Sequence, residues 1–357
     1  MRHIVALAVA VLTPALLPAQ PVRTSYGNDF LSTGGGARAL AMGGAFTAVA
    51  DDATGGFWNP AGLRRTQRLT AAFMHSERFN GAVQYDYAAA AWRPETSDMV
   101  FGLSFFRQGV DGIRNTLNAW DRDRDRPVNN PGDAITEYTA ADMALMASFA
   151  APLNEHLTWG ANLKLIHRKT GPFAQAWGYS IDLGTLYRHG SWRFGLTAVD
   201  LTTLLTFWSV DASELEPLRD FFSDAELNEA FPTGQTEVSL PYIRTGAAWV
   251  RDAGDITFTL AADVDLMFDG RDRFVLNAGP ASIHPRIGIE TAYLNTLFFR
   301  AGLADISTTF DDRVTLSPAL GTGFRVGSVL IDYGFGSFVG NSSVLGNTHR
   351  LSASIQF

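Results

Sequence analysis

The chain has 357 residues, of which 46% are hydrophobic, 12% aromatic and 18% charged, with 34 glycines, no cysteine and a formal net charge of −8. A soluble domain ordinarily carries about 25% charged residues, so this chain is short of charge, while its mean hydropathy stays near neutral. Its apolar residues are therefore dispersed, as in strands alternating between lipid and lumen, and not gathered into the runs of about 20 that helical spans need. The missing cysteine excludes a lipid-anchored cysteine, disulfides and thiolate metal sites, and an acidic chain without a basic run gives no reason to expect nucleic acid.

Residues 1–19 read as a cleaved signal peptide. Arg2 and His3 precede the apolar stretch Ile4 to Leu17, and Ala19 offers a small residue before Gln20. Residues 20–65 form a separate segment. Within it, 34–63 (GGGARALAMGGAFTAVADDATGGFWNPAGL) is too rich in Gly and Ala, and too unbroken by polar alternation, to face lipid as a strand. Its glycine clusters permit tight turns and close packing. Asp51-Asp52 and Asn59-Pro60 are turn formers, with Asn59 extended because it precedes proline. Small residues around two carboxylates suit a compact plug inside a barrel.

From 66 to 357 the sequence falls into segments of period two punctuated by Gly, Asn, Asp and Pro. Fourteen strands are predicted, near 68–75, 82–92, 99–108, 138–150, 157–168, 174–188, 192–200, 240–250, 256–267, 285–293, 296–303, 317–325, 328–338 and 347–357. Connections after even strands are short. Those after odd strands include the long ones, at 109–137, 201–239, 268–284 and 304–316. Short periplasmic turns and long external loops are the pattern of an outer-membrane barrel, and an even count leaves both ends in the periplasm. The fold class is therefore a 14-stranded antiparallel transmembrane β-barrel with an N-terminal hatch in the lumen. The last strand alternates His349, Leu351, Ala353, Ile355 and Phe357 against Arg350, Ser352, Ser354 and Gln356, and terminal Phe357 is the candidate assembly signal.

The 34–63 segment resembles the N-terminal signature of the PorV/PorQ family, a branch of the FadL-like outer-membrane proteins. The resemblance rests on Gly36 to Ala39, Met42 to Ala45, Ala50 to Ala53 and Trp58 to Leu63, with Ala41 standing where the family more often has Gly. Weaker likeness covers Leu240 through Ala247, Arg286 to Leu303 and Ile331 to Tyr333. The resemblance implies a fourteen-strand barrel with a lumenal hatch, and Arg38, Gly43, Gly44, Asp51, Asp52, Asn59 and Pro60 as hatch and gating residues. It further implies either passage of hydrophobic molecules past the hatch and sideways through the wall, or service in type IX secretion as a carrier of exported cargo. A purely structural role is the third reading.

No constellation suggests an enzyme, a cofactor or a metal. The glycines of 34–44 lack the Gly-Lys-Ser/Thr of a phosphate loop, and the histidines are scattered. If the registers hold, Lys164, Asp182, Arg244, Asp263, Asp265, Arg286, Glu290, Arg300, Arg325 and Asp332 point inward. Both signs are then present, as in a paired lattice that fills the lumen and docks the hatch. Arg244, Arg286, Arg300 and Arg325 are the expected partners of Asp51 and Asp52. Loop 201–239 mixes Leu204, Phe207, Trp208, Leu215 and Phe222 with Asp211, Glu214 and Glu216, and 212–230 reads as including a short amphipathic helix that folds over the mouth or meets a partner. The expected surroundings are outer-membrane lipid, the outer-membrane assembly machinery, and a hydrophobic ligand or an exported cargo protein.

Overall fold

In the computed structural model the described residues are 23–24, 29–66, 68–79, 81–121, 124–219, 222–230, 236–268, 277–278, 281–308, 314–337 and 347–357. The predicted signal peptide at 1–19 lies outside them. The wall consists of β1 (Leu69–Arg78), β2 (Val83–Trp92), β3 (Val100–Asn115), β4 (Thr136–Pro152), β5 (Leu157–Thr170), β6 (Ala174–His189), β7 (Trp192–Val199), β8 (Tyr242–Ala253), β9 (Ile256–Met267), β10 (Ala281–Tyr293), β11 (Leu297–Thr308), β12 (Val314–Val326), β13 (Val329–Ser337) and β14 (Asn347–Gln356). Each strand pairs antiparallel with its sequence neighbours. β14 closes on β1, from Thr70 opposite Gln356 to Glu77 opposite His349. No sheet edge is left along this closure, so the backbone groups are paired within the wall, as a span through lipid requires.

Alternation decides the two faces. In β5 Leu163 and Leu165 are half exposed on the outside, whereas Asn162 and Lys164 are buried inside. Phe105, Leu196, Leu260, Ile289, Phe299, Leu320 and Leu351 extend the exposed apolar surface around the wall. In water such a band would be a liability; in hydrocarbon it is the favourable face. No described helix is long and apolar enough to cross a membrane, so strands do the crossing. A 12-residue strand such as β9 reaches about 40 Å, and the usual tilt of barrel strands brings this to about 30 Å of hydrocarbon.

The strands end within a few residues of expectation except at the external edge. β3 and β4 continue to Asn115 and from Thr136, past a register shift between Val110 and Ile113. β7 also departs from the predicted pattern. It leaves the ladder after Val199, loops over 200–203 with Asp200 and Thr203 at positive φ, and resumes as Leu204–Val210 against the outer half of β6. The chain returns as Thr236–Ser239 and enters β8 after Leu240-Pro241, where proline removes a ladder donor. The loop helix predicted within 212–230 is split into Ala212–Leu215, a 3-10 turn Glu216–Leu218, and Asp224–Ala230.

Two expected results follow from this layout. Protease added to intact cells is expected to cut within 116–135 or 211–235 and to spare the turns at 153–156 and 254–255. Cuts mapped by mass spectrometry to the short turns overturn the orientation. At the other end, the Phe357 backbone N–H donates to Leu69 O at 2.8 Å, while the ring is largely exposed. Phe357→Asp is accordingly expected to lower outer-membrane yield with little change in the stability of barrels already assembled. Equal membrane yield removes the assembly role.

Candidate functional site

Residues 29–66 occupy the lumen. Helix α1 (Ala37–Ala41) starts after Gly36 at φ 94, α2 (Gly55–Trp58) follows, and a 3-10 turn spans Pro60–Arg65. Asn59 is extended, at φ −154 and ψ 107, as the residue before proline should be. Its Oδ1 accepts from Ala61 N at 3.1 Å, and its Nδ2 donates to Thr47 O and Thr185 O at 3.0 Å each. Asn59 and Pro60 thus fix the exit from the plug towards β1 and tie it to β6.

The plug rests on glycine. A methyl group added to Gly195, Gly160 or Gly334 would come within 2.5–2.6 Å of plug backbone at Thr47, Ala61 and Ala37. At Gly102 it would press on Leu63. Gly184 faces Asn59, Gly246 faces Thr47, Gly288 faces Met42, Gly302 faces Gly43 and Gly321 faces Ala41. Nine strands, β3, β5 to β8 and β10 to β13, therefore offer bare backbone to the plug. Gly43, at φ 63, answers them by packing on the Leu303 backbone. Gly44 faces the Arg286 side chain.

Charge completes the seat. Arg38 donates to Glu290 through Nε and Nη2, at 2.8 Å each, and to Asp51 Oδ1 through Nη1 at 2.6 Å; Asp52 is 3.6 Å away. Glu290 also accepts from Arg300, which reaches on to Asp332. Asp265 receives both Arg244 and Arg286, at 3.0 and 2.6 Å. Asp263 accepts from the backbone N–H groups of Phe46 and Thr47 at 2.9 and 2.8 Å. Lys164 lies between Asp182 and Asp200, at 2.8 and 2.5 Å. Arg325 donates to Gln356 near the periplasmic end. The ten residues read as inward alternate along their strands with the exposed apolar positions, and most of them pair or dock the plug.

The partners of Asp51 differ from expectation. They are Arg38 of the plug itself, Arg65 at 3.6 Å and Arg193 of β7 at 3.8 Å. Arg244 and Arg286 are taken by Asp265, and Arg300 by Glu290 and Asp332. Face alone gave neither the height along the barrel nor the competing carboxylates, Asp265, Glu290 and Asp332, that take up these arginines. Burial raises the Asp51 carboxyl, but Arg38, Arg65 and Arg193 outweigh it and hold it at about 2. Burial and the Asp51 charge instead push Asp52 up, against Arg38 and the Thr54 hydrogen bonds. The stability contributed by Asp51 is hence present above the ordinary carboxylate range and lost only as pH falls towards 2, whereas Asp52 opposes the seat as it ionises.

One side of the plug is apolar, where its Phe30 and Phe57 gather with Met74, Tyr85, Tyr87, Phe106 and Ile166 of the wall. At the mouth, the helices of 211–230 meet the outer ends of β3, β4 and β5 around a cavity of about 360 Å³. Leu117, Tyr138, Phe173, Leu218, Phe222 and Leu227 line it, with Arg114 and Glu226 as its charged members. Arg65, Arg193, Asp200, Arg350 and the glycine seat were not anticipated from sequence. Glycine at inward positions of so many strands was the available signal.

A closed barrel with an apolar exterior and a plugged lumen defines a membrane β-barrel fold. No protein-family model matches the chain, and no curated protein matches it. Solved structures do share its fold. The Ralstonia pickettii toluene transporter TbuX is 13% identical, with 91% of this chain and 98% of that one covered at a TM-score of 0.52. The CymD monoaromatic hydrocarbon channel is 15% identical over 91% and 98%, at 0.53. A Pseudomonas aeruginosa FadL homologue is 14% identical over 90% and 98%, at 0.50. The chain therefore has the FadL-like barrel fold.

Proposed function

We propose that this chain is an outer-membrane channel that admits small hydrophobic molecules, exported by its 1–19 signal peptide, plugged by residues 20–65 and spanning with 66–357. The observation that carries the reading is the mouth cavity of about 360 Å³, which is within the size range of small-molecule sites and mainly apolar. The aromatic cluster beside the plug supports it, as do the toluene and monoaromatic hydrocarbon specificities named for two fold relatives. The likeness of 34–63 to the PorV/PorQ signature supports no separate cargo role, because its residues are occupied in seating the plug: Arg38 on Glu290, Met42 against Gly288, Asn59 on β6.

The test is toluene entry into intact cells producing the protein, with Leu227→Asp as the probe of the cavity. Leu227 is buried, and a carboxylate there costs apolar binding and adds an unpaired charge. Entry is expected to fall at least fivefold in the variant, with normal barrel assembly. Wild-type entry no faster than in cells lacking the protein sinks the reading. Type IX secretion genes in the same genome, with cargo co-purifying on the barrel, would move the assignment to secretion.

A further inference from the structure

We propose that the body of the plug is a fixed part of the wall, and that passage runs along the seam between it and strands β14, β1 and β2. Met74, Tyr87 and Ser352 would then select the passenger. The inference rests on the channel reading above and adds a route and a passenger class to it.

Nine strands meet the plug through glycine, so on the wall side bare backbone faces the plug and no wall side chain can move aside there. A displacement of the plug in any of those directions collides with main chain. β14, β1 and β2 are consecutive around the barrel and carry no such glycine. There the contacts run through side chains. Gly36 N donates to Met74 Sδ at 3.1 Å, Ala37 N donates to Ser352 Oγ at 2.8 Å, and the Tyr87 ring stands against Gly35. Methionine is unbranched and readily changes shape.

A cavity of about 20 Å³ already lies in this seam, about the room needed for one water. Ala72, Met74 and Tyr87 give it an apolar flank, while Asp52, Thr54 and Ser352 give it a polar one. Arg350 roofs the region, donating to the carbonyls of Thr33 and Gly34. Such a lining fits a slim apolar body, a flat aromatic such as toluene included, leaves a place for one hydrogen-bonding group on it, and excludes branched or bulky passengers.

The chain has no cysteine, so two introduced thiols report on plug movement without background. A Cβ at Gly56 would lie 3.7 Å from that of Ser148 on β4, a spacing that accepts a disulfide, and this lock ties the plug to a strand outside the seam. Toluene entry into intact cells and KCl conductance in planar bilayers are measured for each variant. Oxidised Gly56→Cys with Ser148→Cys is expected to remain within twofold of its reduced form. Met74→Trp, or Ala72→Leu if the tryptophan variant does not assemble, is expected to cut toluene entry at least fivefold. Met74→Ala is expected to raise conductance. Loss of entry on oxidation, or wild-type entry in the assembled narrowing variant, overturns the seam. Should the wild type admit no toluene, the hydrocarbon reading fails and conductance alone decides the route. A rise in Met74→Ala that survives the oxidised lock supports the seam, and no rise overturns it.

Discussion

Replacing Arg38 with methionine is expected to loosen the plug while the barrel stays closed. The guanidinium serves Glu290, Asp51 and Asp52 together, and its side chain is only 17% exposed. Methionine fills much of the same space but leaves three carboxylates facing one another. Removing one partner of a buried ionic group costs about 3–5 kcal/mol, mainly from the charge left behind. The wall keeps its own strand pairing and does not depend on this residue. Purified Arg38→Met is therefore expected to show protease cuts inside 30–66 and frequent conductance openings, with unchanged heat-modifiable mobility. Asp51→Ala with Asp52→Ala should act in the same direction but more weakly, since Arg38 retains Glu290. Wild-type protease resistance and conductance in Arg38→Met would remove the ionic seat from the account.

The second large effect is expected at Lys164. Its ammonium is the shared counterion of Asp182 and Asp200, and all three side chains are at most 5% exposed. Asp200 sits where β7 leaves the ladder: seven steps of that strand, Ala198 to Leu205, face four of β6, Leu183 to Tyr179. Ser180 Oγ donates to Asp200, and the Asp200 N–H donates to Asp182, so the looped-out turn is built around these two carboxylates. Lys164→Met leaves them buried side by side, again a loss of about 3–5 kcal/mol. The expected outcome is a markedly lower unfolding temperature and early proteolysis within 200–239. Adding Asp182→Asn and Asp200→Asn should restore most of the loss, because amides need no counterion. If the triple variant is no better than Lys164→Met alone, the lysine acts through packing instead.

Much of this architecture was legible in the sequence because a barrel strand must alternate, and the alternation is written directly into segments such as Leu157–Thr170. The lumenal charges were legible for the same reason, since Asp263 and Asp265 fall on one face of β9 and lipid forbids that face. Three features were not. LLTFWSV at 204–210 carries an apolar run without clean alternation, so it read as loop although it extends β7. The partners of Asp51 depend on the height of each arginine and on which carboxylates compete for it, neither of which period two encodes. The glycine seat was hidden because glycine in a strand reads first as a bulge or a weak point. Only the position of the plug explains why Gly160, Gly195 and Gly334 carry no side chain.

That seat has a consequence for the order of events during assembly. A plug that abuts bare glycine backbone on nine strands of the wall has no clearance through which to be pushed into a finished cylinder. The wall must instead close around it, with residues 29–66 in place while β3 to β13 are laid down. The closing pair, β1 with β14, joins positions nearly the full chain apart, from Thr70 to Gln356, and so makes the slowest contact in entropic terms. It also lies on the side where the plug is held by side chains and not by glycine. The last join thus falls where fit is most forgiving.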